Sequence, residues 1–185
     1  MKSENRLDKT LRHMSENLKG AYEAVHPASH PRAGKRCTCS GTAILACCYI
    51  NGLGKVLLKG GPKRSKQHSR PDFERFQAFI TKCMPDFVAQ SQAAGLPPLP
   101  KSGATSGDEW LYYGYRCAFV HGLPQKGVIW GWHRPSKKYW FKRKGGVGLN
   151  VDELVRGFHR GVIQFKEIVD ADPDLKLNFA DYLRV

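Results

Sequence analysis

Two side chains that could carry out chemistry lie near the middle of the chain, Arg116 and His121, with four residues between them. Arginine has a permanent positive charge and forked donors that match a phosphate group. Histidine takes up or releases a proton near neutral pH. This pair could cleave a phosphodiester without a metal ion. In the other interpretation the two side chains only pair with acids or cap carbonyl groups at a helix end.

The residues around this pair predict a helix that ends just after His121. Ser106 and Glu109 have the spacing of a capping box, which marks a helix start. Gly122 is typical of the position that follows a helix. In an ideal α-helix, five positions correspond to a rotation of about 140°. Arg116 and His121 would then point in different directions, so either the last turn unwinds or a second copy of the helix completes the site.

A catalytic pair would divide the work between a proton carrier and a phosphate binder. We expect His121 to act as general base or acid toward the ribose 2′-hydroxyl or the leaving 5′-oxygen. Arg116 would bind the scissile phosphate and stabilise its developing charge. Tyr112 and Tyr115 could stack a base or position the phosphate, although Tyr115 is the better candidate for the core. The chain has no convincing carboxylate cluster for two-metal cleavage, so neither a metal nor a cofactor is expected.

The stretch LYYGYRCAFVHG, residues 111–122, resembles the signature helix of HEPN domains, whose motif is an Arg, four to six residues and a His. Residues 43–58 resemble the buried helix of that family, 73–85 the helix before the motif, and 149–154 the start of the closing helix. The resemblance implies an all-α domain, dimerisation through the motif helix and metal-independent RNA cleavage. Other members of the family lack activity or only bind nucleotide or RNA.

The residue after the arginine separates two functional interpretations. Active HEPN members commonly carry a polar residue there, often Asn, whereas this chain has Cys117. The first interpretation is an RNA-directed endoribonuclease that acts as a homodimer. The alternative is a non-catalytic nucleotide-binding, RNA-binding or assembly module that keeps the fold and lacks the chemistry.

The distribution of charge favours a polyanionic partner, RNA in the first place. The 185-residue chain has a net charge of +14. Residues 24–71 include nine Lys or Arg and no acid, and residues 110–151 include eight and no acid. A clustered basic field of this kind favours nucleic acid. The other interpretation is a soluble cationic surface, because charge alone carries no specificity.

Two basic segments supply further candidates for substrate binding. The loop 60–70 is basic and is expected to be exposed. In the insert at about 126–144, aromatic and β-branched runs on both sides of a proline turn predict a β-hairpin. Its aromatics could stack on bases while its cations contact phosphates, or the aromatics could pack on the bundle and leave only the lysines in water. The substrate-binding candidates are Tyr112, Lys63, Arg64, Lys66, Arg134, Lys138 and Trp140.

The cysteines and the N-terminal residues indicate a cytoplasmic protein with reduced thiols. Six cysteines, two of them adjacent in an apolar run, do not form the pattern of a disulfide framework. The N-terminal residues are charged, unlike a signal peptide, and no apolar run is expected to span a membrane. The loop after the first helix could bind zinc, although its Cys-x-Cys spacing is poor for that metal. The zinc candidates are His26, His30, Cys37 and Cys39.

The apolar pattern predicts a single all-α domain over residues 1–185, an up-down bundle of about four or five helices with one β-hairpin insertion. Residues 42–58 are apolar nearly all round, which predicts a central helix. The glycine run 144–148 is predicted to end the hairpin. Asn150 and Glu153 predict a capped last helix. The predicted helices cover 3–24, 42–58, 71–85 with a further segment to 94, the motif stretch and 150–172, before a tail that closes on Leu177, Phe179 and Leu183.

Overall fold

The computed structural model describes residues 5–25, 39–58, 71–99, 103–117, 128–131, 136–143 and 146–184. Most of these residues are helical, as predicted, and they form seven helices rather than four or five. The elements are α1 (Arg6–Val25), α2 (Cys39–Leu57), α3 (Pro71–Cys83), α4 (Pro85–Ala94), α5 (107–117), β1 (Val128–Gly131), β2 (Trp140–Arg143), β3 (Gly146–Asn150), α6 (Val151–Ala171) and α7 (Pro173–Tyr182).

Proline and glycine delimit α4. Pro85 is the first residue of α4, where its missing N–H leaves no hydrogen bond unmade. Met84 separates this helix from α3, so the predicted break at Pro85 is confirmed. Gly95 ends α4 with φ 56°, a left-handed conformation that glycine adopts without steric cost.

The tail after residue 172 is a helix, α7, and not an irregular segment. The Asp172 carboxylate accepts hydrogen bonds from the backbone N–H groups of Asp174 and Leu175, which caps the start of α7. Phe179 is buried, as predicted. Leu177 is 66% exposed, so the prediction that it closes the core is wrong. The helical period of α7 places Leu177 on the face opposite to its buried residues.

Helix α2 lies at the centre of the core, as predicted, and contacts α1, α3, α6 and α7. Contrary to the expectation from the sequence, its window Ser40–Leu57 is long and apolar enough to cross a membrane by length and composition, with a mean hydropathy of 1.2. Half of that window is buried within the fold. The buried apolar residues of α2 are Ala43, Ala46, Cys47, Ile50, Leu53, Val56 and Leu57.

The strands form a three-stranded mixed sheet in the order β1-β3-β2. Strand β2 pairs with β3 in the antiparallel sense, and β1 pairs with β3 in the parallel sense. The prediction of a hairpin between the two aromatic runs is therefore wrong in its pairing, because β3 lies between β1 and β2. The antiparallel partners are β2 and β3, and residues 144–145 between them lie outside the described part of the chain.

Strand β3 contains most of the glycine run that was predicted to end the hairpin. Gly148 lies opposite Phe141 in the antiparallel ladder. A Cβ atom built on Gly148 would lie 2.3 Å from two ring atoms of Phe141. The glycine therefore permits the phenyl ring to approach the backbone of β3. Sequence reasoning does not find this strand because glycine is depleted in strands and more often marks a turn.

Asn150 precedes α6, as predicted, but its side chain does not cap that helix. Its amide instead donates to the carbonyl oxygens of Ser136 and Lys138, at 3.1 and 2.9 Å. Glu153, the predicted partner in the capping box, accepts from Arg160 at 2.8 Å. The predicted capping box is therefore wrong. Asn150 instead fixes the segment that leads into β2 and joins it to the start of α6.

The described thiols lie in two environments that predict different reactivity. Cys47, Cys48, Cys83 and Cys117 are free, Cys47 and Cys83 being buried and Cys48 exposed. Burial raises the pKa of both buried thiols, that of Cys83 to about 12. Because the thiolate is the reactive form, at pH 8 we expect iodoacetamide to alkylate Cys83 about 100-fold or more slowly than Cys48.

Peptide mass mapping after timed quenching measures these rates for each cysteine separately. Guanidinium unfolding is the control, because it should bring the rates of Cys48 and Cys83 together. Equal rates in the folded protein would contradict the burial of Cys83.

Candidate functional site

The motif helix α5 packs against α2, α3 and α4, and one of its side chains also contacts β2. Tyr112 packs edge-on against Phe73 and Phe76 of α3, with ring centroids 5.3 and 5.4 Å apart. On the other side, Tyr115 is fully buried and packs against Trp140 of β2, with centroids 6.2 Å apart. Contacts on both sides fix the rotation of α5 about its axis. They thereby determine where Arg116 points.

The start of α5 forms as predicted. The Ser106 hydroxyl accepts from the backbone N–H of Glu109, and the Glu109 carboxylate accepts from the backbone N–H of Ser106. This reciprocal pair is a complete capping box. Gln77 of α3 donates to the Asp108 carboxylate at 2.8 Å, which ties the first turn of α5 to α3.

After its first turn, α5 continues as a π-helix over Trp110–Cys117. A π-helical segment has i→i+5 hydrogen bonds and is uncommon, and it is often found at functional sites. Residues 110–117 therefore depart from the ideal α-helix assumed for the rotation of about 140°, which itself spans residues 116–121 and lies mostly outside the described part of the chain. His121 lies in 118–127, outside the described residues, so its predicted pairing with Arg116 stays a prediction.

Tyr112 supports the guanidinium of Arg116. Arg116 Nη1 donates to the Tyr112 hydroxyl at 3.1 Å, and Arg116 Cζ lies 4.9 Å from the centroid of the Tyr112 ring. Only 4% of Tyr112 is exposed. In this structure the ring therefore positions Arg116 and does not offer an open face for a base.

The nearest described carboxylate only partly neutralises Arg116. Arg116 Nη2 lies 3.9 Å from Asp72 Oδ2, at the outer limit of an ion pair. The other Asp72 oxygen accepts from Arg75 Nη1 at the shorter distance of 3.2 Å. Arg116 Nε is buried and has no hydrogen-bond partner among the described residues. The described residues thus hold the guanidinium in place and only partly neutralise its charge.

Arg116 remains charged in this setting. Burial disfavours its charged form, but the electrostatic influence of Tyr112, Cys117 and Asp72 outweighs burial and raises the pKa of Arg116. Burial raises the pKa of Tyr112 to about 12, so its hydroxyl keeps its proton at neutral pH. A partly exposed, positioned guanidinium of this kind can bind an oxyanion through charge-assisted hydrogen bonds.

The insert residues Lys138 and Trp140 differ in exposure. Lys138 is exposed. Trp140 is 6% exposed, its indole N–H donates to Ser91 Oγ at 2.8 Å, and its ring packs against Phe87. Of the two interpretations of the insert, Trp140 fits the one in which the aromatic side chains pack on the helical bundle. The side chain of Lys138 faces water.

Several predicted residues lie outside the described part of the chain. Of the zinc candidates, only Cys39 belongs to a described element, as the first residue of α2, and its side chain is not described. The described residues contain no group of three His, Cys, Asp or Glu that could hold a metal ion. The other predicted residues outside the described ranges are His121, Lys63, Arg64, Lys66, Arg134, His26, His30 and Cys37.

Asp72 is the functional candidate that sequence reasoning does not find. In the sequence it is an acid in the first turn of α3. Acids are common there because the positive end of the helix dipole stabilises a negative charge. Nothing in its spacing points to Arg116, which is 44 positions away in the chain by subtraction of the two residue numbers. Only the packing of α5 on α3 brings the two side chains together.

Comparison of the chain with models of protein families, with curated proteins and with solved structures finds no match. The structure shows a mostly helical domain with a small sheet. The HEPN resemblance rests on the motif stretch and the neighbouring segments of the sequence.

Proposed function

We propose that this chain is an RNA-directed, HEPN-like protein of the cytoplasm and a metal-independent endoribonuclease that acts as a homodimer through α5. The proposal rests on the position and the contacts of the Arg116 guanidinium. Its guanidinium is fixed on the Tyr112 ring, lies 3.9 Å from Asp72 and keeps one donor without a described partner. Such an arrangement suits a phosphate that carries additional charge in the transition state.

The mechanism assigns the phosphate to Arg116 and the proton transfer to His121. Arg116 binds the non-bridging oxygens of the scissile phosphate. His121, whose role rests on the sequence motif, takes the proton from the ribose 2′-hydroxyl or delivers one to the leaving 5′-oxygen. The attacking group belongs to the substrate, so the reaction yields a cyclic phosphate or, after hydrolysis, a 3′-phosphate. The acid-free stretch 110–151 gives this region a field that attracts RNA.

The alternative function is a non-catalytic nucleotide-binding, RNA-binding or assembly module of the same fold. The observation that favours it is Cys117, whose Sγ lies 4.0 Å from Arg116 Nη1. A thiol is a weak hydrogen-bonding group. It therefore does not replace the amide that active HEPN members commonly carry at this position.

The expected result of the decisive experiment is cleavage of single-stranded RNA in excess EDTA, with no cleavage of DNA of the same sequence. DNA lacks the 2′-hydroxyl that attacks the phosphate in the proposed mechanism. Denaturing gels follow the cleavage, and phosphatase sensitivity with mass spectrometry identifies cyclic or 3′-phosphate ends. Products that end in a 3′-hydroxyl, or cleavage that stops in EDTA, would rule out this chemistry.

Filter binding across a salt series distinguishes the alternative function. A nuclease or RNA-binding module should lose affinity for RNA steeply as salt rises, because bound phosphates release counterions. Salt-dependent binding without cleavage would identify an RNA-binding module. Absent or salt-independent binding would favour an assembly module.

A further inference from the structure

A cavity of about 470 Å³ lies between α4 and the β2–β3 pair, and no described residue of α5 lines it. Its volume lies within the range of small-molecule pockets. The apolar wall includes Leu96, Trp140 and Val147, each less than 9% exposed. Because the indole N–H of Trp140 is already bonded to Ser91, the tryptophan contributes apolar surface to the cavity.

The described charged residues that line this cavity are both positive. They are Lys138 and Lys142, both exposed, and no acid is found among the described lining residues. Residues two apart in a strand share a face, so Lys142 and Trp140 lie on one side of β2. Lys138 lines the cavity from the segment that leads into β2. Cations therefore stand on both sides of an aromatic residue along one edge of the cavity.

The wall that carries these lysines is held in place by α4. The Gln90 amide oxygen accepts from the backbone N–H of Tyr139 at 3.1 Å, and its nitrogen donates to the Lys137 carbonyl oxygen at 3.4 Å. Asn150 donates to the Lys138 carbonyl oxygen on the other side. A cavity with such a fixed backbone loses little conformational entropy when a ligand binds.

We propose that this cavity binds one unstacked nucleotide of single-stranded RNA, with its base against the apolar wall and the phosphates on either side paired with Lys138 and Lys142. The inference rests on the proposed RNA-directed function and adds a binding site for the RNA to the one at Arg116. Proteins that read single strands commonly insert splayed bases into such pockets and follow the backbone with cations. A ligand with a single anionic group would leave one of the two lysines without a partner.

The test measures binding of fluorescent single-stranded 2′-O-methyl RNA homopolymers of A, C or U to the full chain by anisotropy across a salt series. The 2′-O-methyl group prevents cleavage by blocking the attacking hydroxyl. The double variant Lys138→Ala/Lys142→Ala should reduce the slope of log affinity against log salt by about 1.4, since each phosphate contact with a single strand contributes about 0.7. Lys137→Ala is the matched control, because Lys137 is exposed and does not line the cavity.

A second variant tests the base-binding wall without any change of charge. Ala93→Leu places a larger side chain in the cavity and should weaken binding about tenfold, because roughly 60 Å² of apolar contact is worth that factor. The salt slope should stay at the wild-type value, since no phosphate contact is lost. Ala89→Leu is the control on the same helix, at an exposed position outside the cavity lining.

Two results overturn the proposal in distinguishable ways. If the wild type binds RNA with a steep salt dependence but Ala93→Leu binds as tightly as Ala89→Leu, the cavity does not hold a base and the proposed function stands. If the wild type shows no salt-dependent RNA binding, the proposed function fails and the cavity proposal fails with it. Thermal melting of each variant confirms that the compared proteins are folded.

Discussion

Replacing Arg116 by alanine should lower RNA cleavage about 1000-fold while the protein stays folded. A positioned arginine that neutralises charge on a transferring phosphate is worth about this factor or more. The change removes the group that is fixed on Tyr112 and only partly neutralised by Asp72. Single-turnover cleavage in EDTA measures the loss, and circular dichroism checks the fold.

A conservative change tests whether charge alone is sufficient. Arg116→Lys keeps one positive charge but loses the planar fork and the Nε donor, so we expect it to recover only part of the lost rate. Arg184→Ala is a control for the loss of one arginine, because Arg184 lies at the end of the described chain and pairs with Asp181 on the surface. Its cleavage rate should equal that of the wild type.

His121→Ala should be as inactive as Arg116→Ala if the two residues act together. Mixing the two inactive variants should restore some activity only if Arg116 and His121 of different chains form one site. Cleavage that persists at the wild-type rate in both single variants would remove this pair from the chemistry. The domain would then have to be considered as a non-catalytic module.

Replacing Gly54 by alanine should strongly destabilise the fold, by about 3 kcal/mol in the free energy of unfolding. A Cβ atom built on Gly54 would lie 1.8 Å from the carbonyl oxygen of Arg75. This contact is with backbone, so a side-chain rotation cannot relieve it, and α2 and α3 must move apart. Leu53 of α2 and Phe76 and Phe79 of α3 belong to the same buried core, so separation of the two helices loosens that core.

Thermal unfolding measures this effect, and Tm should fall by about 6 to 12 °C for a domain of this size. Gly20→Ala is the matched control, because Gly20 lies within α1 and no described atom approaches its Cβ position within 4 Å. That variant should be more stable by about 0.5 to 1 kcal/mol, the difference in helix propensity between the two residues. Equal Tm values for Gly54→Ala and the wild type would contradict the close approach of α2 and α3.

The Gly54 contact also has a consequence for the proposed site. Arg75 shares Asp72 with Arg116, and all three side chains depend on the position of α3 relative to α5. A shift of α3 should therefore change the distance between Asp72 and Arg116 and the orientation of the guanidinium. We expect the residual folded Gly54→Ala protein to cleave RNA more slowly than the wild type at a temperature where both are folded.

Local signals in the sequence were sufficient for most helix boundaries. The Ser106–Glu109 capping box, the break at Pro85 and the end of the long helix at Asp172 all appear in the structure as predicted. Each is decided within a few residues, by a hydrogen bond that a side chain supplies or by an N–H that proline lacks. The all-round apolar pattern of α2 likewise predicted its central place, because such a helix has no polar face to expose.

Strand pairing was decided only by tertiary packing. The Gly146–Asn150 segment lies between the two aromatic strands, and the close contact of Phe141 with Gly148 cannot be inferred from either segment alone. The burial of Trp140 likewise cannot be inferred from its own segment, because it depends on Ser91 and Phe87 of α4. Pairing is a non-local choice, and the sequence patterns of the two outer strands fit more than one partner.

The residue types in the motif indicate groups that could bind and cleave a phosphodiester, and the capping box before them predicts the helix that carries Arg116. The surroundings of that arginine follow from packing between elements that are far apart in the chain. The Asp72 carboxylate lies 3.9 Å from Arg116 because α5 packs on α3, and Phe73 and Phe76 of α3 hold the Tyr112 ring that lies against the guanidinium. The type of a side chain sets the chemistry that it can perform. Its protonation state and its orientation depend on neighbours that are distant in the chain.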